Sequence, residues 1–114
     1  MVVQEFSLSI TPIGKPVCIY LNKDDADFQI VFNIESRSGT FTLESGTTAQ
    51  ICGTKPDGSK YQAAAVISIA DKTVTVNGDK DMTSAEGIGV FEICLTHSRK
   101  TLHTQNFRVC VESI

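Results

Sequence analysis

Residues 48–61, TAQICGTKPDGSKY, oblige the chain to reverse. Pro56 presets its own φ near about −65°, Asp57 can hydrogen-bond its own backbone, and Gly58 takes a positive φ at no steric cost. A strand pattern enters this turn and another leaves it, so two strands must pair through it. The rest of the chain repeats the theme, with short strand-like runs divided by Gly, Asn, Asp and Ser.

Period-two stripes fill the runs between turns. Phe6, Leu8 and Ile10 alternate with Ser7 and Ser9, and Val17, Ile19 and Leu21 alternate with Cys18 and Tyr20. The strongest stripe is FQIVFNI, residues 28–34, with Phe28, Ile30, Phe32 and Ile34 on one face. Phe41 and Leu43 mark a short strand, and Ala49, Ile51 and Gly53 share a face. YQAAAVISIA, residues 61–70, carries three alanines that favour helix, but it ends in β-branched alternation and reads as strand. KTVTV ends at the turn dipeptide Asn77-Gly78. Phe91, Ile93 and Leu95, and then Phe107, Val109 and Val111, supply the last inward stripes, with residues 102–112 read as one closing strand. The expected core is Phe28, Ile30, Phe32, Ile51, Phe91, Ile93, Phe107 and Val109. A capping-box pattern, Thr83 to Glu86, predicts a single helical turn near 82–86.

Seven to nine short strands with turn signals about every ten residues predict an all-β, antiparallel sandwich or barrel. No βαβ rhythm appears, so a parallel sheet is not expected. At 114 residues the chain is one domain, 1–114. A net charge of −3 argues against nucleic acid as a partner, which needs a basic face. No 18-residue apolar run is present to span a membrane. MVVQEFSLSI lacks the basic start of a signal peptide.

The residues predict no enzyme and no cofactor. No GxSxG, GxGxxG or P-loop occurs. Asp24, Asp25 and Asp27 lack the register of a calcium loop. His97 and His103 flank one hairpin turn, but a metal site needs three or four ligands, and no metal is expected. Cys18, Cys52, Cys94 and Cys110 show no CxxC spacing, and without an export signal all four are expected as free thiols.

The phase of those cysteines points elsewhere. Each alternates against the apolar stripe of its strand: Cys52 goes with Gln50, Cys94 with Glu92, and Cys110 with Arg108 and Glu112. Free cysteine is usually buried, so outer strand faces covered by another chain, or by copies of this one, are expected. PIGKP, residues 12–16, has the character of a block on a strand edge. Contact is therefore expected at the closing strand, through Arg108, Cys110 and Glu112.

An ordered set of segments carries a family resemblance: FQIVFNI, FTLESGTTAQICGTKPDG, AVISIADKTVTV, SAEGIGVFEICL and NFRVCVES. Together they resemble the N-terminal domain of phage baseplate upper proteins, found in tailed phages and prophages of Gram-positive bacteria. The resemblance implies an immunoglobulin-like or related β-sandwich in the virion tail, made in the host bacterial cytoplasm. It implies an adaptor that docks onto the tail hub or neighbouring baseplate proteins, with no catalytic residues. Family members continue into a stalk, coiled coil or receptor-binding module, whereas this sequence stops at Ile114. It thus corresponds to an excised domain or a short stand-alone relative. The competing function is a carbohydrate-binding module for cell-wall polysaccharide. That function needs aromatic platforms, and the chain offers Tyr20, Tyr61 and six Phe, most of them on core stripes.

Overall fold

The described residues form ten strands in one curled, open sheet, a half-barrel whose concave side holds the apolar stripes. The computed structural model describes residues 1–11 and 16–113. In chain order the strands are β1 Val2–Ser9, β2 Cys18–Asn22, β3 Phe28–Ser36, β4 Gly39–Thr40, β5 Thr48–Thr54, β6 Lys60–Ser68, β7 Thr73–Asn77, β8 Gly87–His97, β9 Lys100–His103 and β10 Phe107–Glu112. Across the sheet they run β1-β3-β7-β6-β5-β8-β10-β2, with β4 on β3 and β9 on β8. Strand β6 bends the sheet. Its first residues pair with β5, and Val66, Ile67 and Ser68 pair with β7.

The all-β class read from turn spacing is therefore the class observed. Pairing is antiparallel through the middle of the sheet, but both rims are parallel, β1 on β3 and β2 on β10. The sequence reading expected no parallel pairing. The rims arise because β1 and β2, neighbours in sequence, sit at opposite edges of the sheet. The two edges face each other across a seam, where the Gln4 side-chain amide donates to the Tyr20 carbonyl at 3.2 Å. The expected edge block at 12–16 lies, apart from Pro16, outside the described residues.

All eight residues expected in the core are buried, at 2% exposure or less. An aromatic series crosses the interior. Phe32 lies 6.4 Å from Phe6 and 4.9 Å from Phe107, and Phe91 lies 6.2 Å from Phe107 and 6.1 Å from Tyr61. This series links the β1–β3 side to the β8–β10 side through the middle of the curl.

The KPDG hairpin forms as its residues dictate. Gly58 N–H donates to the Lys55 carbonyl at 2.9 Å, and Gly58 has φ +88°. This is a type I turn closed by a glycine bulge. Asp57 accepts from the Ser59 amide and hydroxyl at 2.9 and 2.6 Å, which holds its carboxyl below the usual range. Lys55 itself is only 7% exposed. Its ammonium donates to Asp81 at 2.9 Å and to Ser84 at 2.7 Å, tying the hairpin to the 79–84 loop.

That loop closes one end of the half-barrel, and there the sequence reading needs correction. Successive bonds from the amides of Met82, Thr83 and Ser84 to the carbonyls of Asp79, Lys80 and Asp81 make a series of turns at 79–84, not a helical turn at 82–86. The Thr83 hydroxyl does not cap a helix; it donates to the Asp25 carbonyl at 2.7 Å. Met82 fills the end of the core with no exposure. The Tyr61 hydroxyl donates to Asp79 at 2.7 Å, and burial together with that carboxylate pushes its pKa up.

Lys55→Ala is expected to destabilise the fold by about 1.5–3 kcal/mol, the range for hydrogen bonds to a charged group. Urea denaturation measures this. A loss under about 0.5 kcal/mol would mean that Met82 and Thr83 hold the loop unaided.

Two further segments differ from expectation. The strand expected at Phe41 and Leu43 is not one. The strand there is the two-residue β4, and Leu43 is buried as part of an irregular segment. The closing strand expected over 102–112 is split into β9 and β10, both lying along β8. The break follows from Thr104, which is buried and whose hydroxyl accepts from the Ile93 amide at 3.0 Å.

Candidate interaction face

The residues proposed for contact lie on a strand that has no free edge. Strand β10 is held between β8 and β2, so the edge-pairing part of the expectation fails and only its outer face is available. The register fixes what surrounds that face. Cys110 stands between Tyr20 on β2 and Ile88 on β8, and Arg108 stands between Cys18 and Val90. Side chains alternate across a strand, so all six point outward together. Tyr20, Ile88 and Val90 are 60%, 59% and 42% exposed. Glu112 is exposed at the border, paired with Asn22 beside the seam.

An apolar patch carrying one arginine and one tyrosine thus covers three adjacent strands. Its relief is not flat. A groove of about 330 Å³ is lined by Pro16, Val17, Val90, Asn106 and Arg108. An open trough of about 600 Å³ continues over β5 and β8, past Cys52, Gln62, Val90 and Glu92. Sequence reasoning found Arg108 and Cys110 from the phase of their strand. It missed Ile88 and Val90, which alternate correctly as outward residues but whose partners across the sheet are a matter of register.

The cysteines are free, as expected, and all four lie on outer strand faces. The two histidines do not approach each other's partners. His97 faces Glu44, at 3.2 Å, and the Ser45 carbonyl, at 3.1 Å. His103 pairs with Cys94 across the β8–β9 hairpin, and its Nδ1 is 2.9 Å from Glu92 Oε1 and 3.4 Å from Cys94 Sγ. Cys94 Sγ is in turn 3.7 Å from Glu92 Oε1 and 3.6 Å from Cys52 Sγ. Burial, then the contact with Cys52, pushes the Cys94 thiol up to about 12, so it is a poor nucleophile at neutral pH.

The solved N-terminal domain of phage TP901-1 ORF48 is similar to this chain along its whole length. The TM-score is 0.78 over 98% of this chain and 99% of that one, at 16% sequence identity. That likeness shows a shared fold. No protein-family model matches the sequence, and no curated protein matches it.

Proposed function

We propose that this domain is a structural component of a phage tail baseplate, an adaptor that docks other tail proteins through the outer face of β2, β10 and β8. One observation carries the reading: the whole chain shares its fold, end to end, with the N-terminal domain of a phage protein. The ordered sequence segments that resemble baseplate upper proteins point the same way. The exposed patch supplies the means, since contiguous apolar surface rimmed by polar groups marks association sites. Tyr and Arg are the residue types that most often dominate binding energy, and Tyr20 and Arg108 lie within it. The role is binding rather than catalysis, in the virion, with neighbouring copies of the chain as further contacts. An immunoglobulin-like description of the fold belongs to this reading too, as an implication of the resemblance.

Co-expression with the hub and baseplate proteins of the same phage or prophage tests it. A stable complex is expected, burying more than about 1,000 Å². Val90→Lys and Ile88→Lys are each expected to weaken it at least about tenfold while the thermal midpoint stays unchanged. A strict monomer that binds none of these proteins would overturn the proposal. Saturable binding to purified cell-wall polysaccharide would favour the carbohydrate module instead. Against that module, Tyr61 and four of the six Phe are buried, and Tyr20 is the one exposed ring of the patch.

A further inference from the structure

Apart from the docking patch, the outer face of β5, β8 and β9 gathers two thiols, an imidazole and a carboxylate. Register brings them together. Cys94 lies opposite His103 on β9, and Cys52 on β5 lies opposite Glu92 on β8. The ligand atoms of Glu92, Cys94 and His103 all lie within 4.8 Å of one another.

We propose that Glu92, Cys94 and His103, with water in the fourth position, bind one zinc-class divalent ion. Tetrahedral ligands about 2.0–2.3 Å from such an ion stand about 3.3–3.8 Å from one another. The Cys94–His103 and Cys94–Glu92 separations are 3.4 and 3.7 Å. These are tetrahedral edge lengths before any ion is added. The His103–Glu92 separation, 2.9 Å, is a hydrogen bond that must open by a few tenths of an ångström. Thiolate with imidazole selects zinc-like ions, whereas calcium and magnesium take oxygen. Binding releases the Cys94 thiol proton to solvent and leaves His103 Nδ1 as the donor atom to the metal.

The same thiols invite a disulfide, and the register argues against it. Cys52 is opposite Glu92, and Cys94 is opposite Gln50, so the two cysteines are diagonal neighbours. Diagonal positions are about 7–8 Å apart at the backbone, beyond comfortable disulfide reach. The ion would instead join β9 to β8 through His103, Cys94 and Glu92.

The test uses the purified chain, reduced, stripped with chelator and dialysed against buffered micromolar zinc. About one equivalent of zinc should be retained, and the thermal midpoint should rise, because an ion that binds only the folded state stabilises it. Cobalt added in place of zinc should give the intense visible absorption of a tetrahedral thiolate site. Cys94→Ser and His103→Ala should each weaken binding at least about 100-fold, one ligand's share of such a site. His97→Ala should leave it unchanged. Failure to retain zinc, a cobalt spectrum without thiolate bands, or retention unaffected by both ligand substitutions would overturn the proposal. So would a Cys52–Cys94 disulfide in the stripped protein kept without reductant. The cobalt spectrum of the unaltered chain decides the matter even if a substitution disturbs folding.

Discussion

Replacing Phe32 with alanine should cost about 3–5 kcal/mol of stability. Phe32 is completely buried in β3, and its ring lies 4.9 Å from Phe107 and 6.4 Å from Phe6. It stands at the crossing between the two sides of the curl, with Phe6 and Val74 beside it in register. Rigid strands on either side prevent the cavity from collapsing, so the cost belongs in the upper part of the range for large-to-small changes. A domain of this size is stable by about 5–15 kcal/mol, so the loss is a large share of the whole. Chemical denaturation should show it as a lower midpoint with an unchanged slope. A loss under about 1 kcal/mol would mean that the stripe of FQIVFNI does not carry the core.

Gly53→Ala should cost about 2–3 kcal/mol, the upper part of the usual range for overpacking. A Cβ at position 53 would lie 2.3 Å from the Val90 carbonyl oxygen, 2.5 Å from Phe91 Cδ1 and 2.7 Å from Phe91 Cα. Two of those atoms are backbone and the third belongs to a buried ring, so nothing nearby yields cheaply. Gly53 pairs with Phe91 across β5 and β8, and the missing side chain is the space that the Phe91 ring uses. The requirement is close approach rather than an unusual φ. Shortening the ring should relieve part of the clash, so Gly53→Ala combined with Phe91→Leu should be non-additive by at least about 0.5 kcal/mol. Strict additivity in that double-mutant cycle would sink the explanation.

The interaction face was half legible. Strand phase alone put Arg108, Cys110 and Glu112 on an outer face, because alternation is a local property of extended backbone. Which residues lie beside them depends on pairing between strands far apart in sequence. Ile88 and Val90 join Cys110 and Arg108 through β8–β10, and Tyr20 and Cys18 join through β2–β10. The ligand cluster depends on pairing too: Glu92, Cys94 and His103 meet only when the β8–β9 hairpin sets Cys94 opposite His103. The spacing rules for metal motifs key on CxxC and Cys/His pairs at short fixed intervals and so pass over such a set.

What the sequence by itself determined is the class of the fold, its hairpins and its core. The period-two stripes assign Phe28, Ile30, Phe32, Ile93 and Val109 to the interior without any knowledge of partners, because burial follows from which face a side chain is on. KPDG specifies its own turn through a fixed φ, an Asx bond and a glycine. The tertiary structure decided strand order and closure. No local signal sends β1 and β2 to opposite rims, and their parallel pairing with β3 and β10 balances chain geometry against the burial of Ile19, Leu21 and Leu8. It also decided the fate of the polar stretch 79–84. Met82 as a plug and Lys55 as a buried strut are rewarded only once the end of the half-barrel exists for them to close.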